Sequence, residues 1–474
     1  MTERRPHDSQ IGAEQRTTSG VYRSIQSLIR FDPAEQWQLL RHLALWIVLG
    51  SAVGVLAGGS SAAFLTMLTW ATDTRTDNGW LLYLLPVAGL MVGWSYHAYA
   101  GTAARGNNLL LEEIHEPTAW LPRRMAPMVL LTTVITHLFG GSAGREGTAI
   151  QMSGSLSDAV IGRVAKLTGA DRRIMLIAAI SGGFGAVFGV PIAGFVFGLE
   201  VQSLGRIRHD AIVPALVASI VGNSVVELLG VGHTPVPTFA AFDLTPLSAA
   251  ELVAAGIAFG LVAIAFVELT HGCKHLMGRF VSWPPLRPFL GGLVVIGLTF
   301  VAGTRDYLGL SVPLIVDAVA ADPLTGAAGV AAFAFAWKVV FTAVTLGSGF
   351  QGGEVTPLFV IGATLGATIG HLFGAPVGVF AAVGFVSVFA GATNTPIACT
   401  IMGVELFGTG IIVPLAIGCV TSYLFSSNRG IYGSQRIDRS KLGPLDSDAN
   451  ANGTLSSVAD RRRYWLPDRP RSAD

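Results

Sequence analysis

The sequence predicts an all-α polytopic membrane protein, and three observations carry that prediction. The 474 residues are 51% hydrophobic and only 13% charged, against roughly 25% charged residues in soluble domains. Apolar runs exceed the ~20 residues that cross a bilayer. Ile174 to Leu199 holds no Asp, Glu, Lys or Arg, and from Val355 to Asn428 only His371 and Glu405 are acidic or basic. Glycine reaches 58 residues, as suits transmembrane helices that pack closely or break midway.

In chain order, residues 1–36 form a polar, basic arm with Arg4, Arg5, Arg16, Arg23 and Arg30. They hold no signal-peptide apolar core. Val21–Phe31 reads as a short amphipathic helix on the membrane surface. Apolar helices are expected over 40–71, 78–100, 124–142, 147–163, 172–189, 191–204, 210–230, 246–273, 285–303, 324–346, 355–372, 374–391, 396–407 and 409–427. Several are too short to span, and others span only at a steep tilt. Residues 37–435 thus form one membrane domain, and 436–474 turn polar and read as a disordered tail. Basic residues gather in the arm, at Arg163, Lys166, Arg172 and Arg173, at Arg206 and Arg208, and at Arg436, Arg439 and Lys441. The positive-inside rule places these, and both termini, on the cytoplasmic face.

A net charge of +1 gives no sign of a nucleic-acid partner. Cys273, Cys399 and Cys419 lie in apolar segments and suggest no disulfide framework. No metal or cofactor motif emerges. Glu113-Ile114-His115-Glu116 lacks the spacing of a zinc-protease helix, and no Ser/His pairing stands out. An enzyme is not expected.

The chain repeats itself. Pro191-Ile192-Ala193, followed by Gly198-Leu199-Glu200, recurs 205 residues later as Pro396-Ile397-Ala398 and Gly403-Val404-Glu405. Gly144-Arg145-Glu146-Gly147-Thr148 recurs as Gly352-Gly353-Glu354-Val355-Thr356, with the glutamates 208 residues apart. Two matched pairs in one order indicate two homologous halves, about 40–230 and 246–430. Transporters built this way place the substrate where broken helices of both halves meet.

Those breaks supply a particular chemistry. Gly140–Gly147 and Gly347–Gly353 each feed a helix start, as does Arg105-Gly106-Asn107-Asn108. Unpaired backbone N–H groups at the positive end of a helix dipole favour an anion. Three of them converging do so without a fixed cation, which would hold the anion too tightly to release it. An intramembrane carboxylate is a functional candidate by default. Glu146 in such a site is either a structural cap or a resident anion that competes with a mobile one.

Gly-Arg-Glu-Gly at 144–147, Gly-Gly-x-x-x-Pro at 352–357 and the run Ala186 to Glu200 resemble the CLC family of anion channels and proton-coupled antiporters. The resemblance covers roughly residues 40–435. It implies a homodimer with one pore per subunit, two inverted halves of tilted and broken helices, and Glu146 as the external gate. When ionised the gate fills the site; when protonated it leaves and carries a proton.

Departures from the family pattern narrow the match. Asn107 replaces a serine, Thr148 replaces a proline after the gate, and Gly353-Glu354-Val355-Thr356-Pro357 replaces Gly-x-Phe-x-Pro. Val201 stands where chloride exchangers have an inner glutamate. This set resembles the fluoride-exporting bacterial branch and implies a fluoride/proton antiporter of the bacterial inner membrane. The alternative is a chloride channel or chloride/proton exchanger of the same fold. The Asn107 amide offers up to two donors and Thr356 a hydroxyl, both suited to a small, hard anion, but the anion's identity rests on the resemblance.

The implied anion-binding set is Gly106, Asn107, Arg145, Gly147, Thr148, Val355, Thr356 and Tyr432, with Tyr423 as the competing tyrosine. Each has a plainer reading. Asn107 suits an ordinary helix cap, Thr356 a packing position and Tyr432 an interface anchor. Glu354 either assists coupling, caps a helix or pairs with a basic residue. Glu200 and Glu405 are expected in polar contacts. Phe184, Phe188, Phe195 and Phe197 read as a packed face.

Overall fold

The computed structural model describes residues 33–167, 169–321, 330–441 and 453–457. The arm's arginines and Val21–Phe31 lie outside them. The chain divides into two units, residues 1–48 and 49–474. Of the first, the described part is the start of one continuous helix, α1 (Pro33–Asp77).

The second unit holds the rest of α1 and fifteen further helices among the described residues. The first half comprises α2 (Leu85–Ser95), α3 (Asn107–His115), α4 (Met125–Leu138), α5 (Glu146–Ser157), α6 (Gly169–Phe188), α7 (Pro191–Glu200) and α8 (Ile212–Leu228). The second comprises α9 (Pro246–Phe280), α10 (Leu286–Ala302), α11 (Val312–Ala320), α12 (Ala334–Ser348), α13 (Val355–Phe373), α14 (Val377–Thr393), α15 (Pro396–Phe407) and α16 (Ile412–Phe425). A two-residue parallel ladder joins β1 (Ser203–Leu204) to β2 (Arg436–Ile437). Among the described residues, five segments are long and apolar enough to cross a membrane, and seven apolar helices are shorter.

Sequence periodicity locates most of these, with instructive exceptions. The helix expected over 78–100 is broken into a 3₁₀ turn at Gly79–Leu84, α2, and a π turn at Tyr96–Ala100. Pro86 sits in the first turn of α2, where its missing N–H costs nothing. Helices α3 and α11 have nine residues each, too short for hydropathy to single out. Of the helix expected over 324–346, residues 330–333 are not helical and the helix begins at Ala334. Arg436–Lys441 and Gly453–Ser457, placed by composition in a disordered tail, are ordered: Leu455 is buried against Leu204 and Ile437. Arg172, a member of one of the basic clusters, is buried. Its guanidinium bonds Asp158 at 2.8 and 2.9 Å and Glu113 at 2.9 Å.

The halves meet as inverted copies. Gly144 and Gly353 exchange backbone hydrogen bonds of 2.7 and 2.8 Å in an antiparallel bridge, the two-fold pattern of such a pair. Glu200, at the end of α7, accepts from the N–H groups of Ile397 and Ala398 at the start of α15. Glu405, near the end of α15, accepts from Ile192 and Ala193 at the start of α7. The two helices therefore run antiparallel, each supplying the cap of the other. Glycines Gly362 and Gly384 let α13 and α14 touch backbone to backbone, as membrane helices do where lipid offers no hydrophobic drive. Phe184 stacks on Phe197 at 4.1 Å, and Phe188 meets Phe359 of the other half at 5.2 Å. Phe195 is only half-buried.

Candidate functional site

Glu146 is the first residue of α5 and is fully buried. Its carboxylate turns away from its own helix. Oε1 accepts from the N–H of Val355 at 2.6 Å. Oε2 accepts from the N–H of Thr356 at 3.2 Å, the Thr356 hydroxyl at 3.1 Å and the N–H of Arg145 at 2.9 Å. The donors Val355 and Thr356 begin α13, whose first-turn N–H groups have no partner within their helix. Glu146 therefore caps the start of the facing half's helix rather than its own.

Glycine makes the seat possible. A Cβ on Gly353 would overlap Glu146 Oε1, and one on Gly144 would stand 2.7 Å from Oε2. Gly353 appeared in the sequence as part of a loop, the repeat and a family motif; its close approach to a carboxylate 207 positions earlier has no local signature.

The third helix start lies alongside. Gly106, at φ +57°, turns the chain into α3. Asn107 directs Nδ2 toward Gly147, within 3.1 Å of where a Cβ there would be, and its Oδ1 is buried without a hydrogen-bond partner. Asn107 does not bond the Glu146 carboxylate. Asn108 accepts from the Ser434 N–H at 3.0 Å, tying α3 to the segment that carries Tyr432. Tyr432 is buried, with its hydroxyl in electrostatic reach of Glu146 and Glu354. Tyr423 lies elsewhere: it packs on the Leu204–Ile437–Leu455 cluster with Lys441 4.0 Å from its ring centre. Gln435 was not foreseen. It is fully buried, donates to the carbonyls of Val201 and Thr393 and accepts from Asn394, pinning the chain three residues beyond Tyr432.

The remaining candidates frame this centre. Thr148 shares a 2.7 Å hydroxyl bond with Thr133 of α4. His137, also on α4, meets the carbonyls of Thr133 and Ala143 at 2.8 and 3.0 Å and so braces the loop leading to the gate. The Arg145 guanidinium lies over the Phe188 ring at 5.6 Å. Glu354 precedes α13, in electrostatic reach of Glu146 and Lys274.

Comparison with known proteins places this arrangement. The chain is 45% identical over 418 residues to a "chloride/fluoride channel protein" of Pseudomonas syringae pv. tomato, covering 87% of this chain and 91% of that one. It is 25% identical to an H(+)/Cl(-) exchange transporter of Salmonella arizonae, over 81% of this chain and 86% of the relative. Among solved structures, a CLC-type fluoride/proton antiporter superposes with a TM-score of 0.79 at 31% identity, covering 83% of this chain and 98% of the other. A slow cyanobacterial Cl-/H+ antiporter follows at TM-score 0.68 and 19% identity, covering 90% and 99%. Residues 88–427 match the voltage-gated chloride channel family, and with the broken, inverted halves around Glu146 this chain belongs to that family, the CLC proteins.

Proposed function

We propose that this protein exchanges fluoride for protons and so exports fluoride from a bacterial cytoplasm. The observation that carries the proposal is the seat of Glu146. Three backbone N–H groups and one hydroxyl surround its carboxylate. An anion arriving from water needs the same donors. An ionised Glu146 and the anion therefore compete for one place. Protonation removes the charge that holds the side chain there, so its departure frees the donors and carries a proton. One residue couples the two fluxes.

Fluoride as the anion is supported by the donor chemistry and by the relatives. Thr356 adds a hydroxyl to the seat, and Asn107 has its amide beside Gly147. Gly106, Val355 and Tyr432 complete the set, while Arg145, Thr148 and Glu354 position it or assist the proton. A relative that superposes closely is a fluoride/proton antiporter. In this reading the protein is a homodimer in the inner membrane, with both termini cytoplasmic. A chloride channel or exchanger is the alternative, favoured by the chloride in the Pseudomonas relative's description.

Proteoliposomes decide between them. Fluoride efflux should outpace chloride efflux and be accompanied by proton uptake. Glu146→Gln should abolish or uncouple exchange, and Glu354→Gln should change the proton flux. Chloride moving as fast as fluoride overturns the fluoride assignment.

A further inference from the structure

A cavity of about 310 Å³ opens at the C-terminal end of α1, away from Glu146. Thr72, Arg75 and Thr76 of α1 form one wall, and the segment from Arg305 to Pro313 forms another. Arg75 and Arg305 both border it and lie in electrostatic reach of each other. Among the described residues neither makes an ion pair. Arg75 Nε is buried and has no hydrogen-bond partner.

A third basic side chain stands behind the wall. Lys338 is fully buried. Its Nζ donates to the carbonyls of Tyr307 and Gly309 at 3.2 and 2.8 Å and to the Ser311 hydroxyl at 2.8 Å. None of these partners carries charge. Arg75 packs on the same Gly309, with Nη2 3.2 Å from where its Cβ would be. The one carboxylate bordering the cavity is Asp306, which is exposed and accepts from the Thr304 hydroxyl at 2.6 Å. Two arginines thus border the cavity with one carboxylate, itself held by the Thr304 hydroxyl. Buried cations are normally paired, because desolvation without a counter-charge is costly. Arg75 Nε, buried and without a partner, is open to a negative charge from outside the chain.

The donors indicate its chemistry. Two guanidiniums present planar forks that match an oxyanion in bidentate fashion. Thr72 and Thr76 border the same space with hydroxyls, and α11 begins there at Val312, adding the positive end of its dipole. Nearby Trp70, Trp80 and Tyr83 are 56%, 59% and 53% exposed, as aromatic side chains are at a membrane–water boundary. Lipid phosphates occur at that depth. We propose that this cavity binds a phosphate group, from a lipid headgroup or from free phosphate, separately from the transported anion. Gly140, at φ +92° where the loop toward Glu146 begins, lies against Leu82 and Arg75, so an occupied cavity steadies the base of that loop.

Thermal unfolding of the full chain in detergent tests this, with inorganic phosphate titrated against chloride at matched ionic strength. Native mass spectrometry for retained phosphatidylglycerol runs alongside. Phosphate or the phospholipid should stabilise the wild type where chloride does not. Arg75→Gln and Arg305→Gln should each weaken that response by about tenfold or more, and Asp306→Asn should strengthen it. Retained phospholipid with no phosphate effect identifies a headgroup; the reverse identifies the free ion; either supports the site. Because Arg305 and Asp306 are exposed, their variants keep the test valid should Arg75→Gln fold poorly. Equal responses to phosphate and chloride with no lipid retained, or responses unaltered in both arginine variants, overturn the proposal.

Discussion

Replacing Gly353 by alanine isolates the seat of the gate. Gly353 exchanges only backbone hydrogen bonds with Gly144, which alanine can keep. Its new Cβ, however, would overlap Glu146 Oε1 and the carboxyl carbon and stand 2.8 Å from Oε2. The carboxylate must move, and it then gives up the Val355 and Thr356 donors. A hydrogen bond to a charged group contributes about 1.5–3 kcal/mol, so losing even one shifts the seated-to-displaced ratio by roughly ten- to a hundredfold. A gate held out of its seat no longer competes with the anion. Fluoride flux in proteoliposomes should persist while the protons moved per fluoride fall, measured with a fluoride electrode and an internal pH dye on protein that elutes like the wild type. A wild-type proton-to-fluoride ratio in the folded variant would refute the assignment of this seat as the point of competition.

Three further outcomes follow from the packing. Glu200→Ala orphans two N–H groups at the start of α15 and should lower stability by about 1–3 kcal/mol; Glu405→Ala should cost less, since Glu405 is exposed. Melting temperatures check the order, with transport stoichiometry unchanged in both. Arg172→Ala strands Glu113 and Asp158, which are 4% and 0% exposed, and should cost about 3–5 kcal/mol, read as a lower midpoint of unfolding. Burial pushes the Lys441 ammonium down to about 6, below its unfolded ~10.4. Between those values the unfolded segment binds more protons, so the hold on residues 436–441 strengthens as pH rises from about 6 toward 10 and weakens as it falls. Hydrogen exchange of Arg436–Arg439, normalised to helix-interior amides at pH 6.5 and 8.5, should show the trend, and Lys441→Met should flatten it; a slope that survives the substitution counts against Lys441.

The amino-acid sequence by itself determined the membrane class, the two halves and the one carboxylate most worth watching. These are legible because hydropathy and repetition are local, and because Gly-Arg-Glu-Gly and Gly-Gly-x-x-x-Pro are spelled out in side chains. The helix α11 escaped because nine residues leave too little apolar pattern, whereas α3 announced itself only by its glycine-led start, and the burial of Arg172 was not legible because a charge looks alike in the sequence whether solvated or buried beside two carboxylates. Only the tertiary structure decided that Glu146 caps α13 rather than its own helix, that Gly353 makes room for it, and that Glu200 and Glu405 exchange caps. The groups that receive these carboxylates are backbone N–H donors 209, 210 and about 200 residues away. A backbone donor has no letter in the sequence; which anion it meets depends on how the halves pack.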